Sequence, residues 1–318
     1  MASETGKVVY AALVGNVLVA ATKTVAAVLT GSSAMLSEAI HSFVDTGNEI
    51  LLIYGSHRSR RKPDADHPFG YGRELYFWSF IVALLIFGVG AGVAFYEGIQ
   101  HIRTPEPITR PIVNYIVLAL SLVFEGSSWL IALRAVKRSK GNRTYWQAIT
   151  CSKDPPQFMV LVEDSAAIIG IFIAFAGTWA SVTFNEPRLD GVASLLISLV
   201  LAVVSVILAR ESKNLLIGER AEPAITRSVC AIAHKMKGVA GVNGVKTTQM
   251  SPTQILAFMS IEFDDAMTIV QVEKIVADLE AAVSKTHPEV MAVFIKPQTP
   301  GAYKETMRKH MAEPAHAG

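Results

Sequence analysis

The chain has 318 residues, of which 51% are hydrophobic and only 18% are charged, with a formal net charge of +2. Soluble domains carry about 25% charged residues, so this composition indicates a protein that crosses a membrane several times. No basic run is dense enough to indicate a nucleic-acid partner. The two cysteines, Cys151 and Cys230, are too far apart for a disulfide framework or a thiolate metal site to be predicted.

Six apolar stretches are long enough to cross a bilayer, because a spanning helix needs about 20 apolar residues. They are Val8–Leu29, Ala34–Ser56, Leu75–Tyr96, Ile112–Val136, Gln157–Phe184 and Leu189–Arg210. No small-residue cleavage site accompanies the first stretch, so we interpret it as a retained span and not as a signal peptide. The sequence therefore predicts an all-α bundle of six transmembrane helices over residues 1–212.

The distribution of basic residues predicts the orientation of these helices. The loops after the second and fourth stretches, at residues 58–73 and 134–153, are rich in Arg and Lys. The opposite side carries only Arg103, Arg110 and Arg188. Since basic loops stay on the cytoplasmic side, both termini are expected in the cytoplasm.

Residues 213–300 have the composition of a soluble domain. Helical and strand-like periodicities alternate through it, in the order Ala224–Lys237 (helix), Val242–Met250 and Ile255–Phe263 (strands), Val270–Ser284 (helix) and Val290–Ile295 (strand). The order αββαβ predicts a cytoplasmic α+β domain in which two helices cover one face of a small sheet. The polar residues 301–318 are predicted to form a disordered tail.

Ionisable residues within the apolar stretches are the strongest functional signal. His41 and Asp45 are four residues apart in the second stretch, so both lie on the same side of one helical turn. Glu163 and Asp164 lie within the fifth stretch. Ionisable groups at membrane depth are costly and usually functional. Imidazole nitrogen and carboxylate oxygen suit zinc, and also manganese, iron, cobalt or nickel, so the sequence predicts an intramembrane metal site.

Three further polar residues leave alternatives open. Asn48 shares the face of His41 and Asp45, and its amide either coordinates a metal or forms an interhelical hydrogen bond. Lys23 in the first stretch and Glu125 in the fourth are candidate proton carriers or charge partners, including partners of each other. For the His41–Asp45 pair itself, the simpler alternative is a hydrogen-bonded pair that only holds helices together.

Three segments carry a resemblance to a known family. Residues 31–45 read GSSAMLSEAIHSFVD, residues 67–73 read HPFGYGR, and residues 164–170 read DSAAIIG. They resemble the second span, the loop before the third span and the fifth span of the cation diffusion facilitator family. The similarity extends from about Val8 to Pro297. It implies a homodimeric exporter that drives divalent metal, usually zinc, by proton antiport, with a ferredoxin-like cytoplasmic domain similar to metallochaperones.

The sequence departs from the usual family pattern at its fifth span. Most members carry a His four residues before the Asp that corresponds to Asp164, whereas this chain has Val160. The sequence Lys153-Asp154-Pro155 and the adjacent pair Glu163-Asp164 resemble the branch that includes human zinc transporter nine and its bacterial relatives. The resemblance implies that Asp164 is a metal ligand. Glu163 then either replaces the lost His as a fourth ligand or carries protons.

The resemblance also bears on sites outside the membrane core. Tyr71 stands in the loop where some members bind a second metal, and Asp64, Asp66 and His67 are too few for tight binding. The last strand, Val293–Lys296, lacks the His or Asp ligands of some cytoplasmic domains. Arg73 and Glu219 match positions where opposite charges interlock two protomers.

These observations predict a secondary active transporter and not an enzyme. We expect metal from the cytoplasm to bind His41, Asp45 and Asp164 and to leave outward as protons arrive, since protons compete with metal for these ligands. The resemblance places it in a bacterial inner membrane. The alternatives are a proton-coupled exporter of organic cations, an intramembrane metalloenzyme, although no H-E-x-x-H motif is present, and a metal sensor that does not transport. Six other histidines lie near the ends of the spans or in soluble segments, and most of them are expected to be solvated and without function; they are His57, His101, His234, His287, His310 and His316.

Overall fold

The structure is a computed structural model that describes residues 2–141 and 143–312 of the chain. It divides into two compact units, Met1–Lys213 and Asn214–Gly318. The boundary lies one residue from the position expected from composition.

The first unit is helical throughout. Its helices are α1 (Ala2–Thr30), α2 (Ser33–Ser59), α3 (Glu74–Leu85), α4 (Gly92–Arg103), α5 (Pro111–Ser139), α6 (Tyr145–Thr150), α7 (Pro155–Phe184) and α8 (Arg188–Ile217). A π-helical segment, Ile86–Ala91, joins α3 to α4 without a break in the helical run. Each of the six predicted apolar stretches coincides with one of these helical runs, whereas the short helix α6 was not predicted.

Within the described residues, four helical runs are long and apolar enough to cross a membrane by length and composition. They are Glu74–Arg103, Pro111–Arg138, Pro155–Phe184 and Arg188–Ile217. Their outward faces carry large exposed apolar side chains, as expected for surfaces in contact with lipid. Helix α2 is less apolar because it carries Glu38, Asp45 and Glu49 along its length. In α1 the apolar helix found within the described residues is shorter, Asn16–Thr30.

The start of α2 is set by local sequence and by one buried carboxylate. Gly31 has φ of 68°, a left-handed conformation that glycine adopts readily, and it reverses the chain between α1 and α2. The Ser32 hydroxyl accepts a hydrogen bond from the Met35 amide at 3.1 Å as the N-cap. Asp190 of α8 accepts bonds from the Ser32 hydroxyl at 2.9 Å and from the Ala34 amide at 3.1 Å. This end of α2 is therefore fixed to α8.

Glycines allow α4 and α8 to approach backbone to backbone. A Cβ atom on Gly98 would lie 2.9 Å from the Gly191 carbonyl oxygen, and one on Gly191 would lie 3.0 Å from the Gly98 carbonyl oxygen. Small residues at helix contacts are typical of membrane bundles, where close packing replaces the hydrophobic effect. The contact brings His101 of α4 beside Asp190 of α8, with Nε2 to Oδ2 at 4.0 Å.

The second unit has the predicted order of elements. It contains α9 (Pro223–His234), β1 (Val239–Ser251), β2 (Gln254–Phe263), α10 (Ile269–Thr286), β3 (Val290–Pro297) and α11 (Pro300–Ala312). The sheet order is β1-β2-β3, with β1 antiparallel and β3 parallel to the central β2. Its core joins apolar residues of α9 and α10 to strand residues, among them Val229, Leu279, Ala257 and Ile261.

The predicted disorder after residue 300 is wrong for most of this segment, because α11 spans Pro300–Ala312. The Thr299 hydroxyl accepts a hydrogen bond from the Ala302 amide at 3.3 Å and so caps the helix start. Glu305 and Lys309 form an i,i+4 ion pair at 2.9 Å. Polarity alone predicted a tail, but these local interactions favour a helix. Residues 313–318 lie outside the described part of the chain.

Replacing Gly98 by Ala should destabilise the membrane domain. The new methyl group would clash with Gly191 and Leu195, and overpacking of this kind costs about 1–3 kcal/mol. Gly126→Ala in α5 is the matched control, because its methyl group would meet no other helix within 4 Å among the described residues. Thermal unfolding in detergent should show a lower midpoint for Gly98→Ala and no decrease for the control. Equal midpoints would contradict this account of the packing.

Candidate metal site in the membrane domain

His41 and Asp45 lie together on α2, as their spacing predicts. His41 Nδ1 is 3.3 Å from Asp45 Oδ1, and the two side chains are 2% and 26% exposed. Both imidazole nitrogens and Asp45 Oδ1 are buried without a hydrogen-bond partner among the described residues. Buried polar atoms are normally satisfied, so these three atoms mark a place where a ligand would supply the missing interaction.

Asp45 borders a cavity of about 60 Å³, and carboxylates from three helices line this cavity. They are Asp45 and Glu49 of α2, Glu125 of α5, and Glu163 and Asp164 of α7. Val160, the position where most family members carry His, borders the same cavity. The structure therefore brings acidic residues of α2, α5 and α7 to the border of one cavity, and their role as metal ligands remains a prediction.

Asn48 forms the interhelical hydrogen bond that was one of its two alternatives. Its Nδ2 donates to Glu163 Oε1 at 3.0 Å, which ties α2 to α7 beside the cavity. Its Oδ1 is buried and has no hydrogen-bond partner in the described part of the chain. The amide therefore holds Glu163 in place and still presents an oxygen that is able to coordinate a cation.

Asp164 faces α5, where the Ser128 hydroxyl donates to its Oδ2 at 2.8 Å. Glu163 and Asp164 both border the cavity although adjacent helix positions diverge by about 100°. Within the described residues, no group of three or more His, Cys, Asp or Glu side chains is close enough to hold a metal ion. The candidate ligands thus surround one cavity without converging on a point in this conformation.

Lys23 is fully buried and pairs with two carboxylates. Its Nζ lies 2.6 Å from Glu125 Oε1 and 3.1 Å from Glu38 Oε2. The Lys23–Glu125 pair was one of the alternatives from sequence, whereas the role of Glu38 was not recognised. Glu38 precedes His41 by three residues, so the spacing places it on the polar face of α2 but does not identify Lys23 as its partner.

Two of the histidines that were expected to be solvated are not. The His101 side chain is 10% exposed and lies beside Asp190. In the second unit, His287 shares hydrogen bonds with the Ser228 hydroxyl at 2.7 Å and with Glu289 Oε1 at 3.2 Å. His57 and His234 are exposed as predicted. The side chain of His310 and all of His316 lie outside the described residues.

The loop before α3 is held by Tyr71 and Asp64. The Tyr71 hydroxyl donates to Asp64 Oδ2 at 2.6 Å, and the His67 amide donates to Asp64 Oδ1 at 2.8 Å. Both hydrogen bonds lower the pKa of Asp64 below its ordinary value, and the bond from Tyr71 has the larger effect. The guanidinium of Arg61 lies 4.6 Å from the centre of the Tyr71 ring. Both Asp64 oxygens therefore accept hydrogen bonds within the loop.

Arg73 and Glu219 lie in different units. Arg73 immediately precedes α3. Glu219 lies between α8 and α9, and its carbonyl oxygen accepts a hydrogen bond from the Gln249 amide at 2.8 Å. Their predicted role as an interlock between protomers remains a prediction.

Comparison with known proteins finds similarity along most of the chain. Residues 9–217 match the cation efflux transmembrane domain, and residues 221–297 match the cytoplasmic domain of cation efflux proteins. The chain is 34% identical over 261 residues to the mitochondrial proton-coupled zinc antiporter SLC30A9 of Xenopus laevis. The aligned region covers 81% of this chain and 47% of that protein. It is 33% identical over 262 residues to the human protein of that name, covering 81% and 46%.

A more distant relative is matched over nearly its full length. The cation-efflux pump FieF of Shigella flexneri is 24% identical over 288 residues, which cover 88% of this chain and 91% of that protein. The chain spans about half the length of the zinc antiporters that it matches.

Tyr71→Phe should raise the pKa of Asp64 toward its ordinary value, because the variant loses the hydroxyl that donates to the carboxylate. A lowered pKa adds stability above the unfolded value of about 3.9, and this contribution is lost as the pH falls through the folded value. The variant should therefore lose stability near neutral pH but not in acid. Carboxyl NMR of Asp-labelled protein, assigned with Asp64→Asn, measures the pKa.

The control for this measurement is His67→Ala, which retains the Tyr71 hydroxyl and the backbone amide at position 67. The pKa of Asp64 should stay low in this variant. The same Asp64 titration in the Tyr71→Phe variant and in the parent would refute the assigned cause.

Proposed function

This chain belongs to the cation efflux family, and we propose that it exports a divalent transition-metal cation, with zinc first, from the cytoplasm in exchange for protons. The observation that carries the proposal is the acidic cavity next to the His41–Asp45 pair, which five carboxylates from three helices border. On this interpretation the chain is a secondary active transporter, and the metal is its substrate and not a resident cofactor.

The membrane topology that we propose has six spans. Four are the long apolar runs from Glu74 onward, and the other two are α1 and α2, which carry the polar residues that face the interior. The basic loops support a cytoplasmic location of both termini. We further propose a bacterial inner membrane as the location and a ferredoxin-like cytoplasmic domain that helps two copies of the chain to dimerise.

His41, Asp45 and Asp164 are the proposed metal ligands. Glu163 and Asn48, which are hydrogen-bonded to each other, supply further oxygen atoms or carry protons. Metal binding needs a neutral imidazole and ionised carboxylates, so each arriving proton weakens the hold on the metal. Proton uptake from outside therefore favours release, and proton loss toward the cytoplasm favours loading.

The cavity in this conformation fits access from the cytoplasm. It extends from Asp45 to Glu49, one turn closer to the basic loop that follows α2. The opposite end of α2 is fixed to Asp190 of α8 through Ser32 and Ala34. Alternating access would open that end and close the cavity at Glu49.

The size of the cavity and the type of its ligands favour a bare or partly hydrated metal ion as the exported substrate. A cavity of about 60 Å³ is far below the roughly 300–1,000 Å³ of sites for drug-sized ligands, which disfavours export of organic cations. Zinc is proposed first because relatives are named as zinc antiporters. The excess of oxygen ligands leaves manganese, iron, cobalt and nickel as further candidates.

His41→Ala and Asp45→Ala should abolish zinc-driven proton flux in proteoliposomes, because each removes a proposed ligand. A pH-sensitive dye inside the vesicles reports the flux. His57→Ala, at the exposed end of the same helix, is the matched control and should keep the parental rate. Flux retained by both ligand variants would refute the site, and no flux from the parent protein would refute the function.

Charge reversal tests the proposed interlock between protomers. Arg73→Glu alone should shift the protein from dimer toward monomer in light scattering, because like charges would face each other. Combining it with Glu219→Arg should restore the dimer. Failure of the double variant to restore dimerisation would show that these two residues do not pair.

A further inference from the structure

Glu38 and Glu125 share the ammonium of Lys23, yet their surroundings differ. Lys23 and Glu38 are both 0% exposed, whereas the Glu125 side chain is 16% exposed. Glu125 borders the acidic cavity together with Asp45 and Asp164, and Glu38 does not. Glu38 instead packs against Gly170 of α7, where a Cβ atom would clash with Glu38 Oε1.

Each carboxylate has one oxygen left over. Glu125 Oε1 and Glu38 Oε2 contact Lys23, while Glu125 Oε2 and Glu38 Oε1 are buried and lack a hydrogen-bond partner in the described part of the chain. The ammonium of Lys23 therefore pairs with two carboxylates, so one negative charge is not compensated by Lys23 when both carboxylates are ionised. Removing charges from water is costly unless they are paired and hydrogen-bonded, so this arrangement favours an added cation.

The excess of acidic over basic side chains is larger when all residues that border the cavity are counted. Within the described residues, six acidic side chains lie at the cavity or at Lys23, and Lys23 is the lysine that contacts two of them; the six are Glu38, Asp45, Glu49, Glu125, Glu163 and Asp164. The two ring nitrogens of His41 also lack a hydrogen bond to the described residues, although the side chain is almost fully buried. A divalent cation would supply both positive charge and a partner for these atoms.

We propose that Glu125 is a further cation-binding residue of this cavity, and that Lys23 is the internal counter-charge that positions Glu125 while the cavity is empty. This inference rests on the proposed function. When a divalent transition-metal ion enters, Glu125 offers Oε2 to the ion, and Lys23 keeps its contact with Glu38. In the empty protein, the Lys23 ammonium thereby supplies part of the positive charge that a bound divalent cation would provide.

The chain offers a matched pair of variants for the test, Glu125→Gln and Glu38→Gln. Each removes one carboxylate from the same lysine, so each should disturb the ion pair to a similar degree. Only Glu125→Gln should weaken zinc binding by about tenfold or more, since loss of groups that support a metal site already costs about 10–100-fold in affinity. Titration calorimetry on the full chain in detergent measures the dissociation constant.

Equal affinities of the two variants for zinc would overturn the proposal, because a purely structural role predicts the same effect of both. Glu125→Asp is the second variant if Glu125→Gln does not fold. It keeps the charge but shortens the reach, so it should also bind zinc more weakly than Glu38→Gln. Parental affinity in Glu125→Asp would likewise count against Glu125 as a ligand.

Lys23→Met tests the counter-charge directly. The variant leaves both carboxylates without their cation, so the metal-free protein should unfold at a lower temperature than the parent. Added zinc should then raise the unfolding midpoint more in this variant than in the parent, because the metal replaces the missing charge. An equal or smaller zinc-induced shift would refute the role of Lys23.

The outcomes separate this inference from the proposed function. A parent protein that neither binds nor transports zinc, manganese, iron, cobalt or nickel would refute the proposed function. A parent protein that binds zinc while Glu125→Gln and Glu38→Gln bind it equally well would refute only the inference.

Discussion

The ammonium of Lys23 is the charge on which the polar interior of the membrane domain depends. A lysine at this depth is tolerated only when its charge is paired, and the partners here come from α2 and α5. Glu38, one of the partners, also fills the space left by Gly170 of α7. A single buried charge thus constrains four helices, and it holds the face of α2 that carries His41 and Asp45 toward the interior.

The carboxylates around the cavity do not form a tight metal site within the described residues. The carboxylates of Asp45, Glu163 and Asp164 border one space but do not converge, and each of the two on α7 is held by a neutral partner, Asn48 or Ser128. An exporter must release what it binds, so ligands that converge in only one conformation suit transport better than a rigid cage. On the proposed function, the hydrogen bonds from Asn48 and Ser128 would keep the two carboxylates of α7 apart until a cation enters.

The sequence predicts the parts of this arrangement that depend on local pattern. Apolar length located every long helix of the first unit, and the i,i+4 spacing of His41 and Asp45 identified the polar face of α2. The partnership of Glu38 with Lys23 was missed because it depends on how α1 and α2 pack, which no local spacing records. Helix α11 was missed for a different reason, since polarity outweighed the cap at Thr299 in the prediction.

Helix α2 is bound to α8 at its first turn and to α1 one turn later, and it borders the acidic cavity further along its length. Asp190 of α8 holds its first turn, Lys23 of α1 holds Glu38 one turn later, and the acidic cavity lies along Asp45 and Glu49. The contact with Asp190 consists of hydrogen bonds to Ser32 and Ala34, whereas the contact with Lys23 joins full charges. Breaking a buried ion pair costs more than breaking hydrogen bonds to neutral donors. A change of access that opens the far end of α2 therefore meets less resistance at Asp190 than at Lys23, so α2 would pivot about the ion pair.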